Sequence, residues 1–188
     1  DGITYYLDEN GHRAIGWRRI DGNPYYFNEN GALASIWGVD VSELDGSIQW
    51  TRVRNTGCQF AILRLGFRSY GSTGAIYEDA RFDTNIREAR AAGIPVGVYF
   101  YSQAINTQEA VEEAEFVLEV LSRYPSIEYP VIIDIENTPE SGRVTHAELT
   151  QREYTDIVLA FGQRIQQSGH RAMVYSYKSI LEDRVYAE

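Results

Sequence analysis

The sequence predicts an α/β fold with a largely parallel sheet, preceded by a short segment of β-hairpins. From Ile36 onward, strand-like apolar runs alternate with helix-like stretches, as in parallel strands joined by crossover helices. Several runs are apolar at consecutive positions, which is typical of strands covered on both faces. The first 37 residues instead repeat with a period of 20 residues. We therefore expect a repeat domain at 1–35 and a larger α/β domain at 36–188.

The N-terminal repeat consists of DGITYYLDENGHRAIGW followed by DGNPYYFNENGALASIW, with nine of seventeen positions identical. Two tyrosines, a polar turn and a tryptophan in each copy predict a β-hairpin. The stretch GWRRIDGNPYYFNENG (16–31) resembles choline-binding and clostridial cell-wall-binding repeats.

The resemblance of the repeats implies wall polymer or carbohydrate as the ligand. Thr4 and Pro24 stand where a choline cage has a tryptophan, which makes choline doubtful as a ligand. Trp17, Tyr25 and Tyr26 are the candidate contacts, unless these rings only pack the hairpins together.

The second domain contains predicted strands and helices in alternation. The strands are expected at 36–42, 60–67, 95–102, 129–136 and 171–177, and the helices around 47–55, 79–92, 107–123 and 146–167. Thr107, followed by Gln108 and Glu109, is the predicted N-cap of the third helix. Asp79 and Asp83 are expected to open the second helix, where acidic residues favour the positive end.

Composition excludes several classes of function. The formal net charge is −10 and no Lys/Arg cluster is present, so nucleic acid is not an expected partner. No apolar stretch approaches the roughly 20 residues of a membrane span, so membrane insertion is not expected. One cysteine and three scattered histidines offer no spacing for a metal site, and we expect neither a metal nor another cofactor.

The strand YPVIIDIE (129–136) places two carboxylates in an apolar run. Because side chains alternate along a strand, Asp134 and Glu136 share one face, with Cβ atoms about 6.6 Å apart. The same parity brings Asp40, Arg64, Tyr99 and Tyr101 to the carboxyl ends of their strands, where α/β enzymes place active sites. Carboxylates among aromatic rings favour sugar chemistry, whereas a structural ion pair with Arg64 is the alternative.

The strand motifs WGVDVSELDGSIQW, AILRLGF, ARFDTNIREARAAGIPVGVYFYS and YPVIIDIEN resemble, in this order, glycoside hydrolase family 25 lysozymes. The resemblance implies an irregular TIM-like β/α barrel that hydrolyses the β-1,4 bond between N-acetylmuramic acid and N-acetylglucosamine in peptidoglycan. It also implies Glu136 as general acid, with Asp134 supporting the acetamido group or the oxocarbenium charge. Asp40 would complete the acidic site.

The resemblance leaves some assignments open. Arg64, Tyr99, Tyr101 and Tyr175 are candidate sugar contacts. The Asp-x-Glu ending also resembles family 18 chitinases, which favours a retaining, substrate-assisted route over inversion.

Two functions are compatible with the sequence. The first is a secreted or cell-surface muramidase of bacterial or phage origin, held on the wall by its repeats. The second is a non-catalytic wall-binding or adhesin module with an inert barrel. The later strands of the family are expected to be missing after Glu188, so that the barrel in this chain is expected to lack its C-terminal part.

Overall fold

The computed structural model describes residues 2–136 and 142–186. The chain forms two compact units, Asp1–Gly38 and Val39–Glu188. Asn137, which follows the predicted strand YPVIIDIE, and the terminal Glu188 lie outside the described residues.

The first unit is built from hairpins. Strands β1 (Gly16–Ile20) and β2 (Asn23–Phe27) are antiparallel, and their turn residues Asp21 and Gly22 both have positive φ, as tight hairpin turns require. Phe27 is 2% exposed and forms the centre of this small core.

The polar turns of the two repeats have the same hydrogen bonds. Asp8 Oδ1 accepts from the backbone N–H of Asn10 and His12, at 2.9 and 2.8 Å. Twenty residues later, Asn28 Oδ1 accepts from the N–H groups of Asn30 and Ala32, both at 3.0 Å. The repeated Asp/Asn-Glu-Asn-Gly pattern is thus a repeated side-chain-stabilised turn.

The second unit contains a sheet of six strands in the order β3-β4-β6-β7-β8, with β5 paired to β4. The pairs β4–β6, β6–β7 and β7–β8 are parallel, and β4–β5 is antiparallel. The strands are β3 (Gly38–Val41), β4 (Phe60–Arg68), β5 (Ile76–Glu78), β6 (Val96–Tyr101), β7 (Val131–Ile135) and β8 (Ala172–Ser176). All five predicted strands are therefore present, and β5 is an addition.

Helices alternate with these strands. They are α1 (Trp50–Asn55), α2 (Phe82–Ala91), α3 (Thr107–Leu121), α4 (Arg143–His146), α5 (Gln151–Gln167) and α6 (Lys178–Asp183), with a 3-10 turn at Glu43–Asp45. In the described part of the chain, none of them is long and apolar enough to cross a membrane.

Two details of the helices differ from the sequence prediction. Asn106, not Thr107, caps α3, because its side chain accepts from the N–H of Glu109. The single helix expected at 146–167 begins instead at Gln151, where Thr150 and Glu153 form a reciprocal capping box.

The core lies between the sheet and helices α2, α3 and α5. Strand β7 is buried at all five positions, as expected for a central parallel strand. Among the described residues β3 and β8 form the two ends of the strand order, so the sheet is open there and does not close into a barrel. The α/β fold with a mostly parallel sheet is confirmed, and the irregular TIM-like barrel stays a prediction.

Candidate functional site

Five strands place one residue each in a row across the carboxyl end of the sheet. Cα pairing matches Tyr77 with Phe67, Phe67 with Tyr101, Tyr101 with Asp134, and Asp134 with Tyr175. Directly paired residues point to the same side of a sheet. Asp134 is thus the carboxylate in an otherwise aromatic row.

A second row lies toward the amino ends of the same strands. Arg64, Tyr99, Ile132 and Met173 are register partners there and share the face of Asp134. Glu136 follows the end of β7 by one residue and is half-buried. The structure therefore brings the predicted residues of β4, β6, β7 and β8 to one face of the sheet, while Asp40 is exposed on β3.

Asp134 is buried without a matching hydrogen bond. It is 6% exposed, and its Oδ1 atom has no partner among the described residues. Burial, together with the negative charges of Glu136 and Asp40, raises the pKa of Asp134 to about 8, while Arg64 opposes the rise. Asp134 therefore keeps its proton to a higher pH than an ordinary aspartate, as part of a carboxyl pair with Glu136.

Arg64 is held by other carboxylates. Its Nε donates to Asp79 Oδ2 at 2.7 Å, and a terminal nitrogen lies 3.2 Å from Glu43 Oε1. Asp79 also accepts from the N–H groups of Glu43 and Arg81 and so joins two loops. It does not open α2 as predicted, because the helix begins at Phe82, whereas Asp83 does lie in the first turn. The alternative of an ion pair between Arg64 and the β7 carboxylates loses its main support, because the guanidinium is already paired.

Tyr99 and Tyr101 line the face beside these charges. Burial raises the pKa of both hydroxyls, and for Tyr101 the hydrogen bond with Tyr70 adds to the rise. The two hydroxyl oxygens of Tyr101 and Tyr70 lie 2.9 Å apart. Tyr175 is 55% exposed at the β8 end of the row. These hydroxyls stay neutral and are able to donate to a sugar oxygen.

Three aromatic residues of this face were not predicted from the sequence. Phe67 and Tyr77 have ring centroids 5.6 Å apart, and Tyr70 packs edge-on against Tyr101 at 6.0 Å. The signal for them is the spacing of rings in FRSYGSTGAIY, but β5 is only three residues long and its pairing with β4 is not evident from periodicity.

A buried polar network lies under the β4–β5 connection. Arg68 Nε donates to Glu113 Oε1 at 2.7 Å, and its NH1 donates to the carbonyl of Gly74 at 2.8 Å. Glu113 Oε2 accepts from Ser102 Oγ at 2.6 Å. Arg143, at the start of α4, binds Glu109 through two hydrogen bonds of 2.7 and 2.8 Å. These paired charges anchor the segments that carry Tyr70 and Tyr101.

The first unit presents its aromatic residues on two faces. Trp17 and Tyr26 are register partners on β1 and β2, with ring centroids 5.4 Å apart, and are 67% and 39% exposed. Tyr25 pairs with Arg18 and therefore points to the opposite face. The three predicted contacts of the repeat thus do not form one surface.

The site at the carboxyl end of the sheet in the second unit can perform acid-assisted chemistry on a neutral ring. It combines the carboxyl of Asp134, whose pKa is raised, a second carboxyl on Glu136 and several aromatic faces, and these groups are typical of a glycosidase site. Within the described residues, no group of three or more potential ligands is arranged to hold a metal ion.

Comparison with known proteins gives two family matches. The model described as glycosyl hydrolases family 25 matches residues 39–188, and the model described as putative cell wall binding repeat matches residues 15–33.

Individual relatives agree with these family matches. Lysozyme M1 of Streptomyces globisporus is 28% identical over 120 residues, covering 63% of this chain and 38% of that protein. The modular autolysin LytC of Streptococcus pneumoniae is 27% identical with a TM-score of 0.68, covering 98% of this chain and 44% of that one. A family 25 glycosyl hydrolase of Bacillus anthracis has a TM-score of 0.62 at 17% identity, covering 84% and 66%, and shows a shared fold. The chain thus spans less than half the length of the first two relatives.

Proposed function

Because residues 39–188 make this chain a member of the glycosyl hydrolases family 25, we propose that it is a lysozyme that hydrolyses peptidoglycan. The bond is the β-1,4 linkage between N-acetylmuramic acid and N-acetylglucosamine. The observation that carries the proposal is the position of Asp134, buried in an otherwise aromatic row with Glu136 two residues away on the same strand end. The expected place of action is the cell wall, reached by secretion or at the cell surface.

In the proposed mechanism Glu136 is the general acid. Its proton passes to the glycosidic oxygen while the acetamido oxygen of the substrate attacks the anomeric carbon, so the leaving sugar departs as an alcohol. In this step the proton shared by the pair lies on Glu136, so the ionised Asp134 accepts the acetamido N–H and stabilises the positive charge of the cyclic intermediate. Water then attacks the anomeric carbon, opens the cyclic intermediate and returns a proton to Glu136. The raised pKa of Asp134 supports a pair of carboxyls that holds one proton at neutral pH, which acid catalysis needs.

The remaining predicted residues receive supporting roles. Asp40 adds negative charge near the developing cation, since its charge already acts on Asp134. Tyr99, Tyr101 and Tyr175 contact the sugar by ring faces and hydroxyls. Arg64 acts mainly by holding the β4 end in place, because Asp79 and Glu43 occupy its donors.

The assignment of the acid is tested with Glu136→Gln. Release of reducing sugar from purified peptidoglycan should fall by at least about a hundredfold, which is the lower range for loss of a general acid. The control Glu119→Gln alters an exposed α3 residue remote from the row and should retain full activity. Equal activity of wild type and Glu136→Gln would remove Glu136 from the mechanism, and wall binding without any sugar release by wild type would favour the inert module.

The stereochemical route is tested by the first-formed product. NMR of the fresh reducing end should show the β anomer, because two displacements at the anomeric carbon retain configuration. An α anomer would exclude the assisted route and assign Asp40 or another carboxylate to the activation of water.

For the repeats we propose wall carbohydrate as ligand, bound on the exposed Trp17 and Tyr26 rings. Their adjacency on one face supports this, since aromatic faces stack on pyranose rings. Trp17→Ala should lower retention of the full chain on purified walls, whereas Arg18→Ala, on the opposite face of the same strand, should not. A normal retention of Trp17→Ala would leave these rings with a packing role only.

A further inference from the structure

The β4–β5 hairpin extends the aromatic row away from the carboxylates. We propose that Phe67, Tyr70, Tyr77 and Tyr101, here called the aromatic arm, bind further sugar units of the glycan strand on the β5 side of Asp134. The inference rests on the proposed glycan substrate. It adds Phe67, Tyr70 and Tyr77, which were not predicted as sugar contacts from the sequence, to the predicted contact Tyr101.

The side chains of the arm face the site and not the core. Tyr77 is the register partner of Phe67, which is the partner of Tyr101, so the three share the face of Asp134. The next residue, Glu78, points to the helix side, where its carboxylate lies 2.6 Å from Arg123 on the segment following α3. Tyr77 itself is 52% exposed, although its ring packs on Phe67. An exposed ring fixed at the end of an active-site row is available for stacking.

The length of the arm fits more than one sugar unit. Tyr77 on β5 lies three strands from Asp134 on β7, so the separation along the row is roughly 14 Å at about 4.8 Å per strand. That distance is longer than the part of the row that contacts the two sugars at the scissile bond. A glycan laid across the strands would place a ring over Tyr101 and Tyr70 and a further ring over Tyr77.

The arm is held in place before any ligand arrives. A Cβ on Gly66 would lie 2.5 Å from the carbonyl oxygen of Tyr77, so the two strands approach closely only because residue 66 is glycine. The buried Arg68 binds the carbonyl of Gly74 in the connecting loop, and the Tyr70 hydroxyl meets that of Tyr101. Preorganised rings lose little conformational freedom on binding, which favours a sugar subsite.

The chemistry of the arm selects a neutral carbohydrate. Its four members carry ring faces and phenol hydroxyls but no charge. The guanidinium of Arg64 lies 5.2 Å from the centroid of the Phe67 ring, but it is bound to Asp79. Rings supply apolar contact to the C–H faces of a pyranose, and the hydroxyls supply hydrogen bonds.

The test measures binding as a function of glycan length in the full chain carrying Glu136→Gln. Calorimetry with peptidoglycan-derived disaccharide and hexasaccharide compares this background with added Tyr77→Ala, Tyr77→Phe or Tyr129→Ala. Tyr129 stacks on Phe60 at 4.9 Å near the amino ends of the same strands and is the matched control. Tyr77→Ala should weaken hexasaccharide binding about three- to tenfold and leave the disaccharide unchanged. Tyr77→Phe and Tyr129→Ala should bind both ligands like the background.

The outcomes separate this inference from the proposed function. If the Tyr77→Ala and Tyr129→Ala proteins bind the hexasaccharide with equal affinity, the aromatic arm does not bind further sugar units, even when the wild type cleaves peptidoglycan. If Tyr77→Ala weakens binding of the hexasaccharide but not of the disaccharide, the result supports the aromatic arm even when the wild type releases no sugar. Absence of binding to either oligosaccharide overturns both. Thermal unfolding of each variant shows whether it is folded. Tyr77→Phe, which keeps the ring at this position, is the reference that separates loss of the ring from loss of the hydroxyl.

Discussion

Asp134 shows what a single residue contributes beyond its place in a motif. Alternation along YPVIIDIE is enough to predict that its side chain shares a face with Glu136. The depth of burial, and the absence of a donor to Oδ1 among the described residues, come only from the surrounding strands. The family resemblance implies Glu136 as the general acid, whereas burial in the folded sheet raises the pKa of its neighbour Asp134 to about 8.

The raised pKa of Asp134 predicts a pH-dependent stability. Since the folded pKa exceeds the unfolded value, the contribution is fully present below about pH 4 and is lost as pH rises toward about 8, at a slope approaching about 1.4 kcal/mol per pH unit. Asp134→Asn removes this loss and should be more stable than wild type at neutral pH. Urea unfolding across the window measures the difference, with Asp183→Asn, which alters an exposed aspartate that does not act on Asp134, as control. If the difference in free energy of unfolding between Asp134→Asn and wild type does not widen as pH rises, burial does not raise the pKa of Asp134.

At the scale of elements, the β4–β5 hairpin depends on charges buried behind it. Arg68 is 5% exposed and links β4, the connecting loop and α3 through Glu113 and the carbonyls of Gly74 and Glu109. Burial raises the pKa of Glu113, and the hydrogen bonds from Ser102 and Arg68 oppose that rise. Breaking such a pair leaves a buried charge uncompensated.

Two neighbouring glutamates allow a matched test of this pair. Glu113→Gln should lower the free energy of unfolding by about 3–5 kcal/mol, because Arg68 keeps its charge in a dry site. Glu112 lies 3.4 Å from the same arginine but is 48% exposed, so Glu112→Gln should cost less than about 1 kcal/mol. Chemical denaturation measures both. Similar costs for the two variants would show that burial does not control the strength of this ion pair.

The elements also show how far sequence reasoning reaches. Long apolar runs such as 60–67 and 129–136 predict strands β4 and β7 well, because burial on both faces leaves a continuous signal. Strand β5 was missed because three residues are too few to show a period. In the site, Arg64, Tyr99 and Asp134 were predicted from long strands, whereas the aromatic residues Phe67, Tyr70 and Tyr77 were not. Their positions depend on a hairpin pairing that local patterns do not specify.

At the scale of the whole molecule, the two units differ in how they are stabilised. The first relies on turns and a small core around Phe27, and the second on a six-stranded sheet covered by helices. The separation into a wall-binding part and a catalytic part stays a prediction, supported by the matches at 15–33 and 39–188. Both parts share an excess of acidic over basic residues, giving a formal net charge of −10.

The net charge predicts an unusual salt dependence for binding to anionic wall material. Raising ionic strength from about 0.01 M to about 0.15 M shortens the Debye length from about 30 to about 8 Å and screens the repulsion between two negative partners. Retention of the full chain should therefore rise with salt, as a pull-down with purified walls would show. A steep fall in retention would indicate that local positive charge, and not aromatic stacking, drives the association.

The unpaired Oδ1 atom of Asp134 has a consequence for the recognition of charged inhibitors. A sugar analogue with a ring nitrogen would carry a positive charge next to a carboxyl whose pKa is raised by burial. Binding such a cation favours the ionised carboxylate, so the complex releases a proton to the solvent. The heat of association would then include the ionisation heat of the buffer, and affinity would increase toward alkaline pH. The buried carboxyl thereby couples ligand charge to proton exchange with the solvent.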